Sequence, residues 1–109
     1  MGPTKESLPA GDTVSASTAH KAAHAIVSGF VQGVGFRYFA RASALRTGVV
    51  GWVRNADDGT VEVYAEGTED RLRQFIQALH RGPNYSQVSD VTVTWQAASG
   101  HFRGFHIRD

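Results

Sequence analysis

Residues 23–48 read AHAIVSGFVQGVGFRYFARASALRTG, and this run predicts a strand, a glycine-containing loop and a helix in succession. Ala23–Val31 is largely apolar and contains β-branched residues, as expected for a buried strand. Gln32–Gly35 interrupts it with two glycines, which are typical of a turn. Phe36–Thr47 then repeats apolar and small residues at helical spacing, and Gly48 follows where a helix would end. The stripe that defines this helix consists of Phe36, Phe39, Ala40 and Ser43.

The next segment predicts a β-hairpin. Val49–Asn55 has the composition of a second strand, and Ala56–Gly59 contains an Asp-Gly pair that favours a tight turn. Beyond the turn, apolar residues alternate with polar or aromatic ones, which predicts a third strand paired with the second. The apolar members of this alternation are Val61, Val63 and Ala65, and the others are Glu62, Tyr64 and Glu66.

A second helix is predicted after Thr68, which is a suitable N-cap because acidic residues follow it in the first turn. The Gly82-Pro83 pair ends this helix. Its apolar stripe, the clearest in the chain, consists of Leu72, Phe75, Ile76 and Leu79. A fourth strand follows, with Val91, Val93 and Trp95 alternating with threonines. The segment Phe102–Arg108 is a candidate for an additional edge strand.

The predicted elements follow the order strand, helix, strand, strand, helix, strand. This βαββαβ order is that of a ferredoxin-like α+β sandwich, in which two helices cover one face of an antiparallel sheet. The fold by itself does not define a function, because the same architecture occurs in RNA-binding proteins, regulatory modules and enzymes.

Composition limits both the extent of this domain and its chemistry. The chain has 109 residues, no cysteine and a formal net charge of +1. A disulfide framework, a thiolate nucleophile and a Cys-ligated zinc site are therefore excluded, and a strongly basic nucleic-acid surface is not expected. Residues 1–21 contain no aromatic residue and little apolar surface, so we expect a disordered extension there and a single domain over residues 22–109.

The loop that separates the first strand from the first helix is the most unusual stretch. Glycines allow backbone N–H groups to converge, and a helix start adds partial positive charge, so the pattern predicts an anion site. Arg37 lies in the first turn of the helix, where its guanidinium could hold a phosphoryl group through two N–H groups. The sequence lacks the Gly-Lys-Ser/Thr ending of a P-loop, and Tyr38 replaces the third glycine of the dinucleotide pattern. Spacing alone agrees equally well with a tight turn followed by a solvated arginine.

Asn55 is the second candidate, because it ends a predicted strand. An amide both donates and accepts hydrogen bonds, so it can orient a water molecule. The alternative is that Asn55 caps the hairpin turn, which asparagine often does.

The other polar groups of the chain do not indicate a catalytic or metal site. The five histidines show no metal-ligand spacing, and Asp57 and Asp58 fit a role in the turn.

Two stretches taken together identify a family. Residues 27–37, VSGFVQGVGFR, closely resemble the phosphate-loop signature of the acylphosphatases. Residues 51–55, GWVRN, followed by Gly59, Val61 and Gly67, resemble the second signature of that family. The resemblance extends through Pro83 to the closing segment Phe105–Arg108. The chain departs from the family in its long leader and in Pro83-Asn84-Tyr85-Ser86, neither of which touches the two signatures.

The resemblance implies a ferredoxin-like enzyme that hydrolyses acyl phosphates to a carboxylate and inorganic phosphate, with no metal and no cofactor. It implies that Arg37 binds the phosphoryl group and that Asn55 positions the attacking water. The residues assigned to the phosphate-binding loop are Gln32, Gly33, Val34, Gly35, Phe36 and Arg37.

The expected partner is a small-molecule acyl phosphate, with inorganic phosphate as product and competitive inhibitor. We expect a cytoplasmic monomer that binds neither nucleic acid nor membrane. The competing hypothesis is a non-enzymatic ferredoxin-like module that binds a regulatory ligand or single-stranded RNA, with Tyr64 and Trp52 as stacking platforms on the open sheet face.

Overall fold

The computed structural model describes residues 20–109, which form five strands and two helices. Within these residues no helix is long and apolar enough to cross a membrane. In chain order the elements are β1 (His20–Phe30), α1 (Phe36–Thr47), β2 (Val50–Asn55), β3 (Val61–Thr68), α2 (Glu69–Arg81), β4 (Gln87–Ala97) and β5 (Phe105–Arg108). Each predicted strand and helix is therefore present, and the bounds of α1 are the predicted ones.

The strands form one sheet in the order β4-β1-β3-β2-β5. The pairs β4–β1, β1–β3 and β3–β2 are antiparallel, which confirms the predicted sheet of four strands. The closing segment does pair in the sheet, but β5 lies parallel to β2, so the five-stranded sheet is mixed. Strand β4 runs opposite to β1 and β2, and β5 begins at the end of the sheet where β4 stops, so β5 runs in the same direction as β2.

The core lies between one face of the sheet and the two helices. Alternate residues of β1 and β3 point into it, as their period of two requires, and both predicted helical stripes are largely buried there. The ring of Phe75 in α2 packs edge-on against Phe105 of β5 at 5.6 Å. Along α1, Phe36 and Ala40 are buried, whereas Leu45 is 71% exposed. The predicted arrangement of two helices on one face is thus confirmed.

The second helix begins and ends where the sequence indicates. Thr68 is its N-cap, and the Thr68 hydroxyl accepts a hydrogen bond from Arg71 N. Glu69 and Asp70 occupy the first turn, where the helix dipole favours negative charge. At the other end, Gly82 N donates to Ala78 O at 3.0 Å and closes the last turn.

The first strand begins earlier than predicted. Its pairing with β3 starts at His20 opposite Thr68 and Lys21 opposite Gly67, two residues that the sequence assigned to the disordered leader. Lys21 also pairs with Glu69, with Nζ 2.6 Å from Oε1. The ordered domain therefore includes His20 and Lys21, and the remainder of the expected extension, residues 1–19, lies outside the described residues.

Candidate active site

The topology brings three connections to the same end of the sheet. Strand β1 ends there at Phe30, directly opposite Gln87 at the start of β4. Asn55 at the end of β2 pairs with Val61 at the start of β3, and Val61 in turn pairs with Val27 of β1. The glycine loop between β1 and α1 therefore lies between the β2–β3 turn on one side and the α2–β4 connection on the other.

The glycine loop opens directly into α1. Gly33 and Gly35 have φ angles of 77° and 78°, in the left-handed region that residues with a side chain rarely adopt. Gly35 is the N-cap, and no side chain caps the helix. Phe39 N donates to Gly35 O at 3.0 Å, so the earlier N–H groups of this first turn have no i−4 partner inside the helix. The first turn contains no acidic residue, so its partial positive charge is available to an anion.

Arg37 is the second residue of this helix and is half-buried. It takes part in none of the ion pairs within residues 20–109, which instead engage Lys21, His24, Arg54 and Arg73. A half-buried guanidinium without a protein carboxylate is a favourable partner for a ligand anion. The sequence predicted that Arg37 lies beside the loop. In the structure, no carboxylate of residues 20–109 forms an ion pair with it.

Asn55 is half-buried at the end of β2, and its side chain does not cap the hairpin turn. The turn is closed by other groups. Ala56 N donates to Thr60 O at 2.9 Å, and Asp58 Oδ1 accepts from Thr60 N at 3.0 Å and from Thr60 Oγ1 at 2.6 Å. The capping role considered for Asn55 is thus carried by Asp58. The side-chain amide of Asn55 has no hydrogen-bond partner within residues 20–109.

Gln32 differs from the other residues of the loop. Its side-chain Nε2 donates to Ala56 O at 2.8 Å and to Thr60 O at 2.9 Å. Both N–H donors of the side chain are therefore bound to the β2–β3 turn, and only the backbone N–H of Gln32 can donate to an anion in the loop. This contact could not be predicted from the sequence, because both acceptors are backbone carbonyls 24 and 28 positions away.

The carboxylates near the turn are engaged in hydrogen bonds. The pKa of Asp58 is lowered, first because the Thr60 hydroxyl donates to it. The pKa of Glu62 is lowered, first by its hydrogen bond with His24 and then, against the opposing effect of burial, by Arg54. Both groups are therefore ionised and committed to protein partners, which makes them poor proton acceptors for a substrate. Residues 20–109 also contain no group of three or more His, Asp or Glu arranged to hold a metal ion.

The open sheet face is occupied by its own side chains. Trp52 and Tyr64 stack on each other with ring centroids 6.1 Å apart, and Phe102 packs against Tyr64 at 5.4 Å. The guanidinium of Arg108 lies 4.5 Å above the Trp52 ring. These contacts occupy ring surfaces that stacked bases would need, and the carboxylate of Glu62 shares the same face. This arrangement does not favour the RNA-binding hypothesis.

The fold and this end of the sheet define a class of protein. It is a small ferredoxin-like α+β domain whose glycine-bounded helix start can receive an anion, with a cation from the same helix and a side-chain amide from the end of β2.

Comparison with known proteins identifies the family within that class. The acylphosphatase family model matches residues 23–107. An acylphosphatase from Salinibacter ruber is 48% identical over 88 residues, which cover 81% of this chain and 93% of that protein. The crystal structure of acylphosphatase from Bacillus subtilis is 42% identical to this chain. The match spans 82% of this chain and 99% of the Bacillus chain, with a TM-score of 0.79. An acylphosphatase from Coxiella burnetii is 33% identical, covers 83% of this chain and 94% of its own, and has a TM-score of 0.77.

The chain belongs to the acylphosphatase family. This confirms the family, the ferredoxin-like fold and the enzyme class expected from the two sequence signatures: the chain is an acylphosphatase, a hydrolase.

Proposed function

We propose that the enzyme hydrolyses small-molecule acyl phosphates at the end of the sheet where the glycine loop, Arg37 and Asn55 meet. In this proposal the backbone N–H groups of Gln32–Arg37 and the Arg37 guanidinium bind the phosphoryl oxygens. Asn55 orients the attacking water. The observation that carries the proposal is the loop itself, in which Gly33 and Gly35 adopt left-handed conformations immediately before an uncapped helix start.

Phosphoryl transfer depends mainly on positioning and on stabilising charge at the equatorial oxygens. A helix start lined by glycines supplies N–H groups that are already oriented, and Arg37 adds a full positive charge with a planar pair of donors. These groups can perform the charge stabilisation that a bound cation performs in other phosphoryl-transfer enzymes. The proposed mechanism therefore uses no metal and no cofactor.

The proton balance follows from the weak basicity of an amide. The water oxygen attacks phosphorus while the bond between phosphorus and the acyl oxygen breaks, and the acyl group leaves as a carboxylate anion. Asn55 holds the water through its side-chain amide but cannot take its proton. Since Asp58 and Glu62 are ionised and engaged elsewhere, the proton passes to a phosphoryl oxygen of the substrate, and inorganic phosphate is released.

The test is hydrolysis of an aromatic acyl phosphate, followed optically, with excess chelator present. We expect turnover that is unchanged by the chelator and inhibited competitively by inorganic phosphate, because the product occupies the same loop. The pH dependence of kcat should show no essential base that titrates as a histidine or a carboxylate. Dependence on added Mg²⁺, or an absence of turnover, would overturn the proposal.

We also propose that the enzyme acts as a cytoplasmic monomer, without a nucleic-acid or membrane partner. In support of a monomer, one chain supplies the glycine loop, the arginine and the asparagine at one end of one sheet. Gel filtration with light scattering, performed at several protein concentrations alongside the activity assay, tests this point. Specific activity that falls on dilution together with the molar mass would contradict it.

A further inference from the structure

The Gln32 side chain joins two connections that otherwise belong to different parts of the fold. Gln32 lies in the glycine loop, whereas Ala56 and Thr60 are the two ends of the β2–β3 turn. The amide has two N–H groups, and each is directed to one of the two carbonyl oxygens, at 2.8 and 2.9 Å. Only Nε2 can donate to a carbonyl, so these acceptors also fix which way the amide is oriented.

The turn does not need Gln32 in order to close. Thr60 O also accepts from Ala56 N at 2.9 Å, and Ala56 O also accepts from Gly59 N at 3.2 Å. Both carbonyls therefore keep a backbone partner if the Gln32 amide is removed, and no buried polar group is left unsatisfied. The amide adds a connection between the turn and the loop, beyond what the hairpin requires.

That connection acts on a residue of the proposed mechanism. Asn55 directly precedes Ala56, so a bond to Ala56 O fixes the chain next to the amide that would hold the attacking water. The other end of the connection is the loop that would hold the phosphoryl group. Displacements of about 1 Å between reacting groups cost on the order of 100-fold in rate.

We propose that Gln32 is a positioning residue that sets the distance between Asn55 and the phosphoryl group, in addition to the contribution its backbone makes to the loop. This inference rests on the proposed roles of Asn55 and the glycine loop. The proposal predicts that the rate of the chemical step and the affinity for phosphate respond differently to the loss of this side chain. Removing the side-chain amide should slow the chemical step, while the affinity for phosphate should persist, because Gly33, Gly35 and Arg37 remain in place.

The first experiment compares Gln32→Met with Gln74→Met, in which an exposed glutamine of α2 is replaced in the same way. We expect Gln32→Met to lower kcat by about 10- to 100-fold. The inhibition constant for inorganic phosphate should stay within about twofold, and the urea midpoint should stay near that of the control variant. Gln32→Lys retains N–H donors at a similar reach, so its kcat should lie between those of Gln32→Met and the wild type.

A double-mutant cycle with Asn55→Ala separates positioning from a general structural effect. If Gln32 acts through Asn55, adding Gln32→Met to Asn55→Ala should lower kcat by less than about threefold further. Multiplicative losses, or a phosphate inhibition constant that rises as kcat falls, would overturn the proposal for Gln32 and leave Asn55 in its role. An unchanged kcat in Asn55→Ala alone would instead overturn the proposed function on which the inference rests.

Discussion

Glu66 accepts hydrogen bonds from both the backbone N–H and the hydroxyl of Ser99, at 2.8 and 2.7 Å, although the two residues lie 33 positions apart. Gly100 N donates to the same carboxylate at 3.1 Å, and the Tyr64 hydroxyl also donates to it. Glu66 thereby fixes the segment that leads from β4 at one edge of the sheet to β5 at the other.

The surroundings of Glu66 favour its charged form. Burial to 3% exposure by itself raises the pKa of the carboxyl, but the donors from Tyr64, Ser99 and Gly100 outweigh it and hold the pKa at about 2, below the ordinary 4.5. A carboxyl whose pKa is lower in the folded chain than in the unfolded chain stabilises the fold while it is ionised. This contribution is complete above pH 5 and is lost as the pH falls towards 2.

We therefore expect Glu66→Gln to lower the free energy of unfolding at pH 7 by roughly 3 kcal/mol, the value that corresponds to the lowered pKa. The loss should shrink as the pH falls from 5 to 2, since the wild-type carboxyl is then protonated as well. Urea unfolding at a series of pH values measures both effects. Glu69→Gln, at an exposed ion pair with Lys21, is the control and should change stability far less. A Glu66→Gln loss of equal size at pH 2 and pH 7 would contradict this account.

Arg37→Lys keeps the positive charge at the start of α1 but removes the planar pair of donors. We expect kcat/KM for an acyl phosphate to fall on the order of 100-fold, comparable to the loss of one transition-state hydrogen-bond donor. Stability should be nearly unchanged, since Arg37 takes part in no ion pair within the described residues. Arg46→Lys, in the last turn of the same helix, is the matched control and should keep wild-type activity. Near-normal activity in Arg37→Lys would show that this guanidinium does not clamp the phosphoryl group.

Asn55→Ala should affect the chemical step more than binding. If the amide orients water, kcat falls strongly while KM and the inhibition constant for phosphate change little. Steady-state kinetics together with phosphate inhibition separate the two effects. Asn84→Ala, which alters an exposed asparagine between α2 and β4, serves as the control. A rise in KM at constant kcat would assign Asn55 to substrate binding instead of the attacking water.

Gly35→Ala tests the backbone of the phosphate loop. Gly35 has a φ of 78° and Gly100 a φ of 76°, and a Cβ added at either position would meet open space. Both alanine variants should therefore lose about 1–2 kcal/mol of stability through backbone strain alone. Only Gly35→Ala should also weaken inhibition by phosphate, because only this glycine opens α1. Equal phosphate inhibition in both variants would show that the conformation of Gly35 does not matter for anion binding.

Much of the fold follows from local patterns. The alternation in β3, the stripe of α2 and the glycine that ends each helix are set by neighbouring residues, so the sequence predicts these elements and the bounds of both helices. The bounds of the later strands were less accurate, since β4 begins at Gln87, before the predicted Val91, and β5 begins at Phe105, after the predicted Phe102. The start of β1 lies three residues before the predicted Ala23, because the strand is extended by distant pairing: His20 lies opposite Thr68, and Lys21 lies opposite Gly67 and Ala97. The direction of β5 also depends on distant contacts, since a parallel neighbour is reached only after the chain crosses the sheet.

For the candidate site, the sequence by itself determined which groups are present: a glycine loop that opens a helix, Arg37 in its first turn and Asn55 at a strand end. Local sequence carries this information because glycine conformations and helix starts depend on residues a few positions apart. The turn role expected for Asp58 is also local, because its carboxylate binds Thr60 only two positions away. The tertiary structure alone decided that the Gln32 side chain reaches the hairpin. It also decided that Glu66 anchors the crossing segment. The contacts of Gln32 and Glu66 with these segments join positions 24 to 34 residues apart, largely through backbone atoms. Every residue carries the same backbone atoms, so such contacts cannot be recognised from the pattern of side chains.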